Sequence, residues 1–115
     1  MAFYKNTANQ KISILAVNTV TGSGVTGDAS NITAQISKDG GSSAATNDTN
    51  PTELNATHHP GVYIFDMTTA ETNANMINLS ASSTSTNTAI DTLVIYTIDS
   101  GNWPCNANNS FIGFG

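Results

Sequence analysis

The stretch GVYIFDMTTAETNANMINLSA, residues 61–81, indicates a strand, a capped turn of helix and a second strand, and it decides the fold class. Its first part, residues 61–67, is apolar except at Gly61 and Asp66 and is rich in β-branched and aromatic side chains. Such a run is typical of a strand that is covered on both faces. We therefore expect residues 61–67 to form the principal core strand of an all-β protein.

A helix start follows this strand. Thr68 and Glu71 have the spacing of a capping box, in which each side chain bonds an otherwise unpaired backbone N–H. The helix, near residues 69–75, is too short to be stable alone in water, so packing must hold it. Residues 76–81 return to an alternation with a period of two, which predicts a strand with one face in water.

The other strands are predicted from short apolar runs that lie between turn signals. We expect strands at residues 10–18, 31–37, 42–46, 52–57 and 88–98. Residues 42–46 should form a polar edge strand after a tight turn at 38–41. Residues 88–98 should form one long strand that is central in its sheet. These elements predict an immunoglobulin-like or jelly-roll-like β-sandwich of about seven strands with one short helical turn near residues 69–75. A closed β-barrel is the alternative.

Three segments make up the chain: an N-terminal arm at residues 1–9, a β-sandwich domain at 10–99 and a C-terminal tail at 100–115 rich in aromatic residues, Gly and Asn. The arm docks on its own domain or on a neighbour. The aromatic residues of the tail pack back on the domain or anchor in a partner's groove, unless the tail is a frayed terminus without function. The predicted interface residues are Phe3, Tyr4, Trp103, Phe111, Ile112 and Phe114.

Charge is scarce in this sequence. It has three lysines, no arginine and a net charge of -5. A protein that binds phosphate backbones needs clustered Lys and Arg, so we expect no nucleic-acid partner. The abundant Ser, Thr and Asn side chains suit a surface that packs against copies of itself or a partner, because desolvating a hydroxyl costs less than desolvating a charge. Ordinary turn and strand chemistry explains them equally well.

His58 and His59 are the only histidines and therefore the first candidates for a metal or catalytic site. Neighbouring side chains on an extended segment point in opposite directions, and no Cys or acidic cluster lies at ligand spacing. No nucleophile with a base and no pair of carboxylates emerges from the sequence. We expect a protein that is not an enzyme and that has no metal, no cofactor and no small-molecule substrate.

Cysteine usage and hydropathy indicate the compartment. Cys105 is the only cysteine, which excludes an intrachain disulfide and a secreted disulfide scaffold. The sequence has neither the apolar run of a signal peptide nor that of a membrane span. We expect synthesis in a cytoplasm and no membrane partner.

Four runs of the sequence combine strand and turn signals in one order: GDASNITAQISKDGG (27–41), ATNDTNPTEL (45–54), HPGVYIFDMTTAETNA (59–74) and LVIYT (93–97). In this order they resemble a family of small domains in virion proteins of tailed bacteriophages, particularly marine phages, over about residues 1–97. In that family the domain occurs alone or as the N-terminal attachment part of longer tail or fibre proteins. The resemblance implies a structural function and supplies no catalytic residue.

The function implied is that of a capsid decoration, or cement, protein that binds the outer surface of the assembled head and stabilises it. Its partners would be the major capsid protein and copies of itself, in a homo-oligomer such as a trimer. Its location would be the capsid exterior of the virion, after synthesis in the host cytoplasm. The alternative is a tail, baseplate or fibre-attachment protein involved in host adsorption. A cellular immunoglobulin-like adhesion module is disfavoured because the signal peptide and the disulfide pair are missing.

Overall fold

Two β-sheets pack face to face across one apolar core. The computed structural model describes residues 3–99. Its strands are β1 (Phe3–Tyr4), β2 (Gln10–Asn18), β3 (Ile32–Lys38), β4 (Ala44–Ala45), β5 (Thr52–Asn55), β6 (His59–Met67), β7 (Met76–Ser83), β8 (Thr88–Ile90) and β9 (Leu93–Ile98). One sheet has the strand order β1-β9-β7-β3-β4 and the other the order β5-β6-β2-β8. The predicted all-β sandwich is confirmed.

The core is built from alternate residues of four strands, two in each sheet. The side chains at these positions are 7% exposed or less. They are Ile12, Ile14 and Ala16 on β2, Tyr63, Phe65 and Met67 on β6, Ile32, Ala34 and Ile36 on β3, and Ile77, Leu79 and Ala81 on β7. Burying one Ile, Leu or Phe side chain stabilises the fold by about 1.5–3 kcal/mol, so this layer holds the two sheets together.

The predicted capping box is present. The Thr68 side chain accepts a hydrogen bond from the Glu71 backbone N–H at 3.2 Å, and Glu71 Oε1 accepts one from the Thr68 N–H at 2.9 Å. The helix, α1 (Thr69–Thr72), is a single turn and ends earlier than predicted. Glu71 is buried, and its Oε2 also accepts a bond from the Asn47 N–H at 2.9 Å, so one carboxylate anchors both the helix and the loop after β4.

The predicted turn at residues 38–41 is also present. Asp39 and Gly40 both have positive φ, at 53° and 76°, and the Gly41 N–H donates to the Lys38 carbonyl at 2.9 Å. Asp39 tolerates this conformation because its Oδ1 accepts bonds from the backbone N–H groups of residues 75 and 76, each at 3.0 Å. The return strand β4 has two residues and lies at the sheet edge, as predicted but shorter.

The prediction of one long strand over residues 88–98 is wrong. β8 pairs with β2 in the four-stranded sheet, whereas β9 pairs with β7 in the five-stranded sheet. The chain changes sheets at the exposed residues Asp91 and Thr92, so Ile90 and Leu93 both pack against the core from different sheets. The two halves of the predicted strand therefore belong to different sheets.

Residues 3–9 are integrated into the sandwich. Phe3–Tyr4 pairs in parallel with the end of β9, and Phe3 packs against the core. The Lys5 N–H donates to the Ile98 carbonyl at 2.7 Å, and the Thr7 N–H donates to the buried Thr72 hydroxyl at 2.8 Å. The described part of the N-terminal arm therefore docks on its own domain.

Candidate functional site

The prediction that residues 61–67 are covered on both faces is wrong, and the uncovered face is the candidate site. On β6, Tyr63 and Phe65 are fully buried, while Val62 and Ile64, between them, are only half-buried. The reason is the architecture, since a two-layer sandwich covers one face of each sheet. The apolar side chains at the alternate positions of β6 therefore lie on the outer face of the four-stranded sheet.

Strand register extends this apolar surface across the whole sheet. Leu15 on β2 lies opposite Val62, and Val17 lies opposite Ala89 on β8. Leu54, on the neighbouring strand β5, is an apolar residue at the point where the register with β6 shifts. Leu15 and Leu54 are 52% and 50% exposed. We call this surface the apolar band; it consists of Leu15, Val17, Leu54, Val62, Ile64 and Ala89.

Polar residues border the apolar band at the end where β2 begins and β6 ends. Lys11 lies opposite Asp66 in the ladder, and their side chains form an exposed salt bridge. Next to them, Ser13 lies opposite Ile64. An exposed ion pair contributes little to folding stability. A flat apolar surface with a polar border is suited to bind another protein surface, because apolar area removed from water stabilises a complex by about 25 cal/mol per Å².

The outer face of the five-stranded sheet has the opposite character. Across β3 and β7 it consists of hydroxyl and amide side chains, namely Thr33, Gln35, Ser37, Asn78, Ser80 and Ser82. The Ser80 and Thr92 hydroxyls are hydrogen-bonded at 3.1 Å. Only towards β9 does this face become apolar, at Val94 and Tyr96, which are 47% and 72% exposed. The two sheets thus present different outer faces to solvent.

A polar cluster surrounds the buried Asp28 at one end of the sandwich. The Asp28 carboxylate accepts hydrogen bonds from the hydroxyls of Ser83 and Ser85, both at 2.5 Å, and from the Asn31 amide at 2.9 Å. Burial opposes ionisation of Asp28, but these three donors outweigh it and hold the pKa of the carboxyl below its usual value. All three partners are neutral. Their hydrogen bonds join the segment before β3 to the end of β7 and the loop that follows it.

Tyr63 connects this cluster to the other sheet. Its hydroxyl donates to the Val25 carbonyl at 2.7 Å and accepts from the Asp28 N–H at 3.0 Å. Burial of the ring raises the pKa of the Tyr63 hydroxyl above its ordinary value. With its hydroxyl engaged on both sides, Tyr63 stabilises the loop before β3 from its position on β6.

The structure places the predicted site residues in different surroundings. Phe3 packs against the core and Tyr4 is half-buried in β1. His58 is exposed in the turn before β6, and His59 is an exposed residue of β6. The predicted interface residues of the tail lie outside the described residues, as does Cys105; they are Trp103, Phe111, Ile112 and Phe114. Their role in an interface stays a prediction.

Within residues 3–99, no three side chains of the His, Cys, Asp or Glu type gather where they could hold a metal ion. No helix in the same range is long and apolar enough to cross a membrane.

The sequence contained a signal for the apolar band that the predictions did not use. In residues 10–18, Leu15 and Val17 stand out of phase with the core positions Ile12, Ile14 and Ala16. An apolar residue in the outward phase of a strand marks either a second covered face or an exposed patch. The pairing of Leu15 with Val62 places both residues on the outer face, so here the outward apolar residues mark a patch that the sandwich leaves uncovered. This register cannot be derived from the sequence of either strand alone.

A comparison with protein-family models, with curated proteins and with solved structures finds no match to this chain. The fold and the apolar band are therefore the basis on which function is inferred.

Proposed function

We propose that this chain is a structural protein of a bacteriophage virion, a capsid decoration protein that binds the exterior of the assembled head through its apolar band. The single observation that carries the proposal is the apolar surface at the exposed Leu15 and Leu54 and the half-buried Val62, on a domain whose other outer sheet face is polar across β3 and β7. The largest apolar patch on a typical monomeric protein covers roughly 300–600 Å² and is often functional. The phage-like sequence runs at 27–41 and 59–74 support the choice of a capsid as that partner.

The size of the apolar band indicates how such binding would work. Four strands at their usual spacing, over about five residues each, give a face of roughly 300 Å². A stable binary interface buries about 800 Å² per partner, so one copy would bind weakly through this face. Many copies that bridge neighbouring capsid subunits add their weak contacts, and they stabilise the assembled state because they bind it preferentially.

The partners under this proposal are the major capsid protein and further copies of the chain in a homo-oligomer. The low charge of the domain suits both, because few ionised groups must be desolvated when surfaces meet. The proposed function is mechanical and requires no catalytic group.

A pair of matched variants tests the role of the apolar band. Leu15→Glu places a charge in the band, and Gln35→Glu places the same charge on the outer face of the five-stranded sheet. Binding to purified heads that lack the protein is measured by co-sedimentation, with circular dichroism to confirm folding. We expect Leu15→Glu to weaken binding at least about tenfold, since burying an unpaired carboxylate is costly, and Gln35→Glu to bind like the wild type. Equal binding by both variants would overturn the proposal.

Copy number tests the location on the head. Quantitative mass spectrometry of purified particles of the phage that encodes the chain gives its ratio to the major capsid protein. A ratio near one supports decoration of the head. Only a few copies per particle would contradict it and would instead indicate the tail, baseplate or fibre-attachment function.

A further inference from the structure

One edge of strand β2 is only partly covered by its neighbours. On one side, β6 pairs with β2 from Gln10 to Leu15. On the other side, β8 pairs with it only at residues 16–18. Among the described residues 3–99, no strand pairs with residues 11–15 on the side of β8. We call residues 11–15 on that side the open edge.

The backbone groups of Lys11 and Ser13 point towards the open edge. Lys11 lies opposite Asp66 on β6, and the Asp66 N–H donates to Asp48 Oδ2, in the segment before β5, at 2.9 Å. The backbone of Asp66 therefore faces away from β2, and residues opposite each other in an antiparallel ladder either bond each other or both face away. Lys11 thus directs its N–H and C=O away from β6. Ser13, two residues further along the strand, faces the same side.

A groove of about 350 Å³ lies beside the open edge. It is lined by Ser13 and Leu15 of β2 and by Asp91 and Leu93 of the segment in which the chain crosses from β8 to β9. Among the described residues that line it, the exposed Asp91 is the only charged one. The groove therefore offers unpaired backbone donors and acceptors, apolar side chains and one negative charge.

We propose that the open edge binds an extended segment of another protein as an added strand. Unpaired backbone groups at a sheet edge bind such a segment through main-chain hydrogen bonds, and pockets beside the edge select its side chains. Leu15 and Leu93 favour an apolar side chain, and Asp91 favours a lysine or arginine because the charges are opposite. The ligand is thus a strand of about five residues with apolar side chains at alternate positions and a basic end.

A second folded copy of this chain fits the open edge less well. If two copies paired antiparallel about Ser13, Gln10 of one copy would lie opposite Ala16 of the other. Ile90 already occupies that place, because it pairs with Ala16 within each copy. An extended segment that brings no neighbouring strands avoids this clash. The net charge of -5 likewise favours a basic segment over another copy.

The first test asks whether the edge is open in the free protein. Amide hydrogen exchange of the full chain, followed by NMR, reports each N–H of β2 separately. We expect the N–H groups of Lys11 and Ser13 to exchange at least about tenfold faster than those of Ile12 and Ile14, which are paired with β6. Slow exchange at all four positions would overturn the proposal, because the edge would then already be covered.

The second test adds a ligand of the stated chemistry. The probe is a synthetic peptide of about seven residues with lysine at both ends, valine at alternate positions and threonine between the valines. One analogue carries N-methyl groups at its threonines and another at two of its valines. Only one of these sets can donate hydrogen bonds to β2, because successive residues direct their N–H groups to opposite edges of a strand.

We expect the peptide to slow exchange at Lys11 and Ser13. Of the two analogues, one should bind at least about fivefold more weakly than the other, because it has lost the N–H groups that face β2. Absence of peptide binding would overturn the proposal. Equal affinities of the two analogues would also overturn it, since binding would then not use main-chain hydrogen bonds.

Matched charge variants test the role of Asp91. Asp91→Asn and Glu53→Gln each remove one negative charge, but Glu53 lies on β5, at the opposite edge of the same sheet. At low ionic strength, Asp91→Asn should weaken peptide binding roughly two- to fivefold, and Glu53→Gln should leave it unchanged. Equal effects of the two variants would overturn the assignment of a basic ligand. All these tests use the isolated protein and synthetic peptides, so their failure would leave the proposed capsid function standing.

Discussion

The two sheets have equivalent inner faces, but their outer faces differ across the central strands. In the ladder between β3 and β7, Gln35 lies opposite Ser80 on the outer face, whereas in the ladder between β2 and β6 that position is taken by Leu15 opposite Val62. Both sheets contribute large, fully buried side chains to the core. The buried side chains that hold the two sheets together therefore lie on the inner faces. The apolar outer face of the four-stranded sheet is half-buried or exposed, so its side chains add less to folding stability than the core side chains do.

The two sheets also differ at their edges. The five-stranded sheet ends on both sides in strands of two residues, β1 and β4. Very short edge strands limit pairing with foreign chains. The four-stranded sheet ends in β5 and β8, and β8 pairs with β2 only at residues 16–18, so among the described residues no strand covers that edge of β2 at residues 11–15. Both the apolar band and this uncovered edge thus belong to the four-stranded sheet.

The largest expected effect tests the equivalence of the inner faces. Phe65→Ala in the four-stranded sheet should lower the free energy of unfolding by about 3–5 kcal/mol, and Leu79→Ala in the five-stranded sheet by about 2–5 kcal/mol, because each leaves a cavity in one shared core. Urea unfolding followed by circular dichroism measures both. The exposed Leu54→Ala is the control and should cost far less. A loss below about 1 kcal/mol for either core variant would show that the sheets do not share one core equally.

The inner faces were predictable from sequence because their signal is local. Ile32, Ala34 and Ile36 alternate with polar residues, as do Ile77, Leu79 and Ala81, and each run specifies its buried side alone. The capping box at Thr68 was predictable for the same reason. The crossing at Asp91 was not, because no Gly or Pro interrupts residues 88–98 and the change of sheet depends on which strands lie nearby.

The apolar band was only partly predictable. Its outward-phase residues on β2 and β6 are visible in the sequence, but they form a continuous surface only because the strands pair in one register. For residues 61–67, the same apolar character predicts burial on both faces, whereas Val62 and Ile64 are only half-buried. Composition alone does not distinguish a strand inside a three-layer protein from a strand on the surface of a two-layer one.

The second prediction concerns the contact between the two halves. Asp28 precedes β3, bonds Ser83 on β7 and meets Tyr63 from β6, so it links the sheets. Its folded-state pKa lies below the unfolded value of about 3.9, so the ionised carboxylate stabilises the fold above that pH. This contribution is lost as the pH falls through the folded-state pKa.

Asp28→Asn should therefore lower the free energy of unfolding by about 1–3 kcal/mol at neutral pH, since it weakens three hydrogen bonds to a buried charge. The variant should also lose less stability than the wild type as the pH falls below about 4, because it lacks the carboxylate that is protonated there. Thermal melts between pH 7 and pH 2, at roughly one-unit steps, measure both effects. The exposed Asp91→Asn is the control. An acid profile of Asp28→Asn that parallels the wild type would contradict the assigned pKa direction.

The smallest expected effect on stability addresses the outer faces directly. Leu15→Gln and Gln35→Leu exchange side-chain character between the two sheets at positions that are both exposed. Each should change the free energy of unfolding by no more than about 0.5 kcal/mol, because neither position belongs to the core. Binding of a hydrophobic fluorescent dye should fall for Leu15→Gln and rise for Gln35→Leu. A loss above about 2 kcal/mol for Leu15→Gln would mean that the folded protein already covers this face, as it does a core position. The apolar band would then be part of the core and could not serve as a binding surface. A small loss would instead agree with the proposal that the band binds a partner.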